Sequence, residues 1–132
     1  MWKPEDFVPS VETCIKLKEL GFPQERGGWW WLKIGERWCL CLDDDRYSDV
    51  WDKAERVIKA PTVGELVLYL PENFEESYHD GRFWVWDDCG NGEHLGAGKT
   101  EAEARADLLI TMAERKFKLR KRRRINEKER IL

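Results

Sequence analysis

Two aromatic runs alternate within 29–42: Trp-Trp-Trp-Leu-Lys-Ile and Arg-Trp-Cys-Leu-Cys-Leu, separated by Gly35-Glu36. A two-residue Gly-X loop between such runs predicts a β-hairpin with a type II′ turn. If Ile34 faces Arg37, then Lys33 faces Trp38, Leu32 faces Cys39, Trp31 faces Leu40, Trp30 faces Cys41 and Trp29 faces Leu42. One face then carries Trp29, Trp31, Lys33, Trp38, Leu40 and Leu42, and the other Trp30, Leu32, Ile34, Cys39 and Cys41. Both faces are apolar. The hairpin is therefore either covered on both sides or presents one Trp-rich face for binding.

The rest of the chain divides by the same signals. Ser10 precedes an apolar-periodic run that stops at Gly21 and Pro23, which predicts a helix over about 11–20. Its apolar positions, Val11, Cys14, Ile15, Leu17 and Leu20, spread around the circumference, so it should touch the body on more than one side. Asp43-Asp44-Asp45 ends the hairpin, and Val50, Trp51, Ala54, Val57 and Ile58 stand near helical spacing, predicting a short helix over about 49–58. Thr62 and Glu65 have capping-box spacing, with Val63, Leu66, Val67 and Leu70 on one helical stripe before Pro71. Arg82 to Asp88, with Phe83, Trp84, Val85 and Trp86, reads as a strand. A turn through Cys89-Gly90-Asn91-Gly92-Glu93 and a return strand over 94–98 make a second hairpin. Thr100 and Glu103 repeat the capping-box spacing at the head of the main core helix, whose stripe is Ala102, Ala106, Leu109, Ile110, Ala113 and Phe117. The expected fold is α+β: an antiparallel sheet of about four strands in two hairpins, packed by two to four helices.

Charge changes this picture at one end. Residues 1–113 hold 13 basic and 23 acidic residues, a balance of −10, whereas 114–132 hold 10 basic and 3 acidic, a balance of +7. The reading is one α+β domain over 1–113 followed by a basic helical extension or tail over 114–132. Such a tail suits nucleic acid, an acidic partner or the acidic body itself. Arg115, Lys118, Arg120, Lys121, Arg122, Arg123 and Arg124 are its candidate contacts.

The order Lys-Leu-Lys-Glu-Leu-Gly-Phe-Pro-Gln (16–24), an aromatic strand, Ala-Pro-Thr-Val-Gly-Glu-Leu-Val-Leu-Tyr-Leu-Pro (60–71), a second aromatic strand, and Lys-Thr-Glu-Ala-Glu-Ala-Arg-Ala-Asp-Leu-Leu-Ile (99–110) resembles a family of small uncharacterised phage and prophage proteins. The likeness covers about 11–113 and rests on caps, stops and core positions. It departs from the family at both ends, where the first ten residues and the basic tail look like additions. What the resemblance implies is origin in a mobile element, working in the cytoplasm of an infected or lysogenic bacterial cell, and no particular activity.

Few residues point to chemistry. Gly96-Ala97-Gly98-Lys99-Thr100 is like the end of a phosphate loop, but the complete pattern needs Gly five positions before Gly98, where Glu93 stands. A turn feeding a capped helix explains it, with room for one anion beside Lys99 at the helix start. Cys39, Cys41, Cys89, His79 and His94 include zinc-ligand types without a Cys-x-x-Cys knuckle, so no metal is expected. His79 and His94 read as surface loop residues. Met1 to Ser10 is short, polar and holds two prolines, unlike a signal peptide, so the cysteines are expected to be reduced. The longest apolar runs are far below the roughly 18–20 residues of a membrane span. Acidic clusters at Asp43–Asp45, Glu75-Glu76 and Asp87-Asp88 read as solvated strand ends. No Gly-x-Ser-x-Gly elbow or Cys–His spacing supplies a nucleophile.

The strongest lead is the eight tryptophans, more than one small core needs. Aromatic faces near Arg or Lys suit stacking on nucleobases. The expectation is a non-enzymatic phage binding protein without cofactor, an inhibitor of bacterial defence that sequesters a nucleotide signal. Its pocket would be lined by Trp29, Trp31, Trp84, Trp86, Arg37, Arg82 and Lys99, in a homo-oligomer. The alternatives are nucleic-acid binding through the tail and inhibition of a host protein by docking on it.

Overall fold

A computed structural model of the chain describes residues 3–87 and 94–115. Among these, a 3-10 turn (Pro4–Phe7) leads into α1 (Val11–Glu19), then β1 (Trp29–Ile34) and β2 (Arg37–Leu42). A second 3-10 turn (Asp45–Tyr47) precedes α2 (Ser48–Asp52), β3 (Arg56–Lys59) and α3 (Val63–Val67). The chain continues through β4 (Phe74–His79), β5 (Arg82–Asp87) and β6 (Leu95–Gly98) to α4 (Glu101–Glu114). The fold is α+β, with two three-stranded antiparallel sheets ordered β2-β1-β3 and β4-β5-β6. The single four-stranded sheet expected from the two hairpins is thus replaced by two separate sheets, because each hairpin recruits a third strand.

The first hairpin has the register derived from its alternation, from Trp29 opposite Leu42 to Ile34 opposite Arg37. Gly35 turns at φ +61°, the left-handed region a II′ turn requires at that position. Its third strand corrects the helix expected over 49–58. α2 stops at Asp52, and Val57 and Ile58, β-branched, pair with Leu32 and Trp31 on the free edge of β1. Pairing with β1 overrides the helical spacing of those apolar positions. In the second sheet β5 pairs with β6, as the second hairpin predicts, and also with β4. The β4–β5 turn is Asp80-Gly81, both at positive φ (56° and 75°), the geometry of a type I′ turn.

α1 and α4 lie between the sheets. α1 packs on β3 and on α4, α3 packs on α4, and α4 packs on β5 and β6. Enclosed in this way, α4 buries Ala102, Ala104, Ala106, Leu108 and Leu109, more of its circumference than the single predicted stripe. Leu17, Phe22, Leu66, Leu70 and Val85 complete that core cluster. A second cluster joins Val8, Cys14, Ile58 and Ala60 to Trp29, Trp31, Trp38 and Leu40. α1 serves both, through Leu17 and Cys14, as its spread of apolar positions predicts.

Gly96 and Gly98 set the distance between β6 and α4. A Cβ at Gly96 would lie 2.4 Å from the Ala104 carbonyl oxygen and the Leu108 nitrogen, and one at Gly98 2.5 Å from the Glu103 Cβ. The two glycines let strand and helix approach, and this close packing explains the phosphate-loop look of the 96–100 segment.

Capping follows the sequence at α1 and α3. Ser10 Oγ accepts from Thr13 N at 3.3 Å, and Thr62 and Glu65 form both halves of a capping box, at 3.2 and 3.1 Å. At α4 only half of the box forms: Thr100 Oγ1 accepts from Glu103 N at 3.1 Å. The Glu103 carboxylate instead accepts from Ser10 N and, at 2.9 Å, from Thr13 Oγ1. A side chain of α4 therefore closes the N-terminus of α1, where its negative charge also suits the helix dipole.

Candidate functional site

The tryptophans divide by what lies against them. Trp31 Nε1 donates to Pro9 O at 3.0 Å, Trp30 Nε1 to Gly27 O at 3.0 Å and Trp51 Nε1 to Leu42 O at 2.9 Å. Each is a side chain satisfied inside the fold. Trp29 and Trp31 lie against Val8, Cys14 and Ala60. On the opposite face Trp30, 6% exposed, meets Trp51 edge-on at 5.6 Å and the buried Lys59 ammonium at 5.3 Å. That ammonium also donates to Gly27 O and pairs with Glu65 at 3.4 Å. Around β1 each face of the first sheet thus takes cover, while β2 stays half-buried beyond Arg37.

The second sheet differs. Tyr78, Phe83, Val85, Gly96 and Gly98 share the face toward α4, by register and by the contacts of Gly96 and Gly98. Residues of the other parity, Glu75, Ser77, His79, Arg82, Trp84, Trp86, Leu95 and Ala97, share the face turned away from it. Trp84 lies opposite Ala97, and Trp86 opposite Leu95. Leu95 is 47% exposed and Arg82 is exposed, while the two indoles are half-buried. The His79 ring stacks on Trp84 (5.4 Å, 11° between planes), and Trp84 Nε1 donates to His79 O at 3.3 Å. The result is an aromatic patch with a cation at its margin.

The seven residues expected to line one pocket are spread over separate surfaces. Trp29 and Trp31 pack under α1, Trp84, Trp86 and Arg82 share the outer face of the second sheet, and Arg37 stands exposed beside the first hairpin turn. Lys99 lines an open hollow of about 310 Å³ with Asp6, Phe7, Val63, Phe83, Thr100 and Glu101. A neighbouring hollow of about 380 Å³ places Trp31 beside Glu5, Glu12, Thr100 and Glu103. These two hollows meet at Thr100 and are walled by carboxylates, which repel a phosphate. The helix start beside Lys99 also has its Glu103 amide taken by Thr100, and Ala97 N donates to Asp107 at 2.9 Å. A third hollow, beside Lys59 and Tyr69, is about 40 Å³, the size of a water site. Burial, then Glu25 and Glu65, pushes the Tyr69 hydroxyl pKa up.

Titratable groups elsewhere serve structure. Burial raises the pKa of the Cys14 thiol, which donates to Pro9 O, and a weaker burial raises that of Cys41. Arg105, 13% exposed, is held by Glu76, by Val63 O at 2.9 Å and by Glu101 at 3.6 Å, over the Phe74 ring. The Glu101 carboxyl pKa is raised, first by burial and then by its hydrogen bond to Glu76, against the lowering effect of Arg105. Arg105 and Lys59 escape sequence reasoning, because neither stands on an apolar stripe and their partners are distant in the chain.

His94 is 8% exposed, not the surface loop residue expected, because it enters β6 directly. His79 is exposed at the end of β4. No group of three or more metal-ligating side chains occurs among the described residues, and no helix among them is long and apolar enough to cross a membrane. Cys89 and the turn around it, Asp88, and Lys118, Arg120, Lys121, Arg122, Arg123 and Arg124 lie outside the described residues. Arg115, exposed, caps the C-terminus of α4. No protein-family model, curated protein or solved structure matches the chain.

Proposed function

We propose that this protein works by binding another protein through the outer face of the second sheet, centred on Trp84 and Trp86. The observation that carries the reading is their placement, side by side on the face turned from α4, next to exposed Leu95 and Arg82. Trp and Arg are the residues in which interface hot spots are enriched. A small nucleotide favours a concave site that encloses most of its surface, whereas the two hollows around Thr100 are walled by carboxylates. The body's charge of −10 over residues 1–113 likewise disfavours a phosphate chain and favours a partner with basic surface. The resemblance to phage and prophage proteins would make that partner a bacterial host protein, with defence components the first class to examine. Charge supports nucleic-acid binding as a second reading, confined to the +7 segment over 114–132, and steep weakening with salt is its signature.

The experiment is affinity purification from bacterial lysate with the wild-type chain and with Trp86→Ala, each checked for a native circular dichroism spectrum. A stoichiometric protein partner lost with Trp86→Ala supports the reading. A partner retained by the variant overturns it. So does a thermal shift with an intact nucleotide that Trp86→Ala abolishes, which would return the same face to nucleotide sequestration.

A further inference from the structure

A sheet edge carries unpaired N–H and C=O groups, and proteins that stay monomeric guard such edges with charge, proline, glycine bulges or brevity. Among the described residues, three of the four sheet edges are guarded. β3 is four residues long and bears Arg56 and Lys59, β4 carries Glu75 and Glu76, and β6 is four residues with two glycines. The β2 edge has none of these devices. It runs six residues, Arg-Trp-Cys-Leu-Cys-Leu, with no proline, no glycine and no charge between Arg37 and Asp43. Trp38, Cys39, Leu40 and Cys41 remain only half-buried.

The hydrogen-bond parity of β2 follows from its hairpin. In a two-residue hairpin the closing pair, Ile34 and Arg37, is hydrogen-bonded, and Asp43 N donates to Gly28 O at 2.9 Å in the same parity. Trp38, Leu40 and Leu42 therefore turn their amides and carbonyls toward the open edge. The Leu42 carbonyl receives the Trp51 indole at 2.9 Å, which leaves it one lone pair.

We propose that the chain forms a homodimer by antiparallel pairing of β2 with β2 of a second copy, centred on Leu40, so that two three-stranded sheets join into one of six. A two-fold axis normal to the sheet keeps each face continuous, so only residues of like parity meet. The register centred on Leu40 sets Arg37 against the partner's Asp43, Trp38 against the partner's Leu42 and Cys39 against the partner's Cys41. Charge complementarity selects it. Arg37 is exposed and has no ion pair among the described residues, and the two-fold axis makes the Arg–Asp match twice. Cys39 and the partner's Cys41 form a non-hydrogen-bonded pair, with Cα atoms about 4.5 Å apart, within the span of a disulfide.

That juxtaposition supplies the test. In the full chain with Cys89→Ser, Cys39→Ser and Cys41→Ser are prepared separately, oxidised with diamide alone or mixed, and run on non-reducing gels with mass-spectrometric mapping. The mixture is expected to give a dimer linked from Cys39 to Cys41, at least about tenfold more than either variant alone. Light scattering of the reduced protein should give a dimer, and Arg37→Glu should raise its dissociation constant about tenfold. Equal linkage in the unmixed variants, a monomer throughout the micromolar range, or an Arg37→Glu protein that dimerises as the wild type does would each overturn the proposal.

Discussion

The two sheets have three strands each, but the first carries four tryptophans and the second two, and they cover them differently. In the first, α1 and the segment before it lie on one face and Trp51 lies on the other. In the second, α4 takes one face and leaves Trp84 and Trp86 on the other. Aromatic content alone therefore does not mark a binding surface. The element that comes to rest on each face decides, and that element can be far away in the chain.

The sharpest way to break this contrast is truncation on each side of it. Trp30→Ala removes a 6%-exposed side chain and should cost about 3–5 kcal/mol, lowering the melting temperature by about 10 °C or more. Trp86→Ala, half-buried on the outer face, should cost about 1 kcal/mol or less. Paired thermal denaturation checks both, and equal losses would mean that the second sheet's outer face is core as well.

Next in size is Gly96→Ala. Its Cβ would meet backbone atoms of α4 at 2.4 Å, and backbone does not yield as a side-chain tip does. A loss of about 1–3 kcal/mol is expected in denaturant unfolding, whereas a neutral effect would show that β6 and α4 can separate without penalty.

The smallest effect concerns Glu101, whose carboxyl pKa is raised, first by burial. The folded state then holds its proton more tightly than the unfolded chain. This contribution is complete below the ordinary glutamate pKa and is lost as pH rises through the raised folded value. Glu101→Gln should flatten the stability profile across that window, read by urea midpoints at several pH values. An unchanged slope would assign the acid-range dependence to other carboxylates.

The first hairpin was legible in full because alternation and Gly35 are local signals, and side-chain parity does the rest. β3 was not, since Val57 and Ile58 share helical spacing with Val50 and Trp51, and only the free edge of β1 makes them a strand. β4 is rich in charge, with Glu75 and Glu76, which hid it even though Asp80-Gly81 marked its turn. Trp84, Trp86 and Arg82 could be placed on one strand face from sequence alone. Their separation from Trp29 and Trp31 could not, because it depends on α4 lying between the sheets.

That middle position has a consequence for synthesis. α4 is the last described element to leave the ribosome, and it supplies half of the buried residues in the larger core cluster. It also carries Glu103, which closes the start of α1 from 93 residues away. Until residue 114 has emerged, the second sheet lacks the cover of its inner face and α1 lacks its carboxylate cap. Each nascent chain thus holds open apolar surface until α4 has emerged, a period in which chaperone contact or pairing with a neighbouring copy competes with folding.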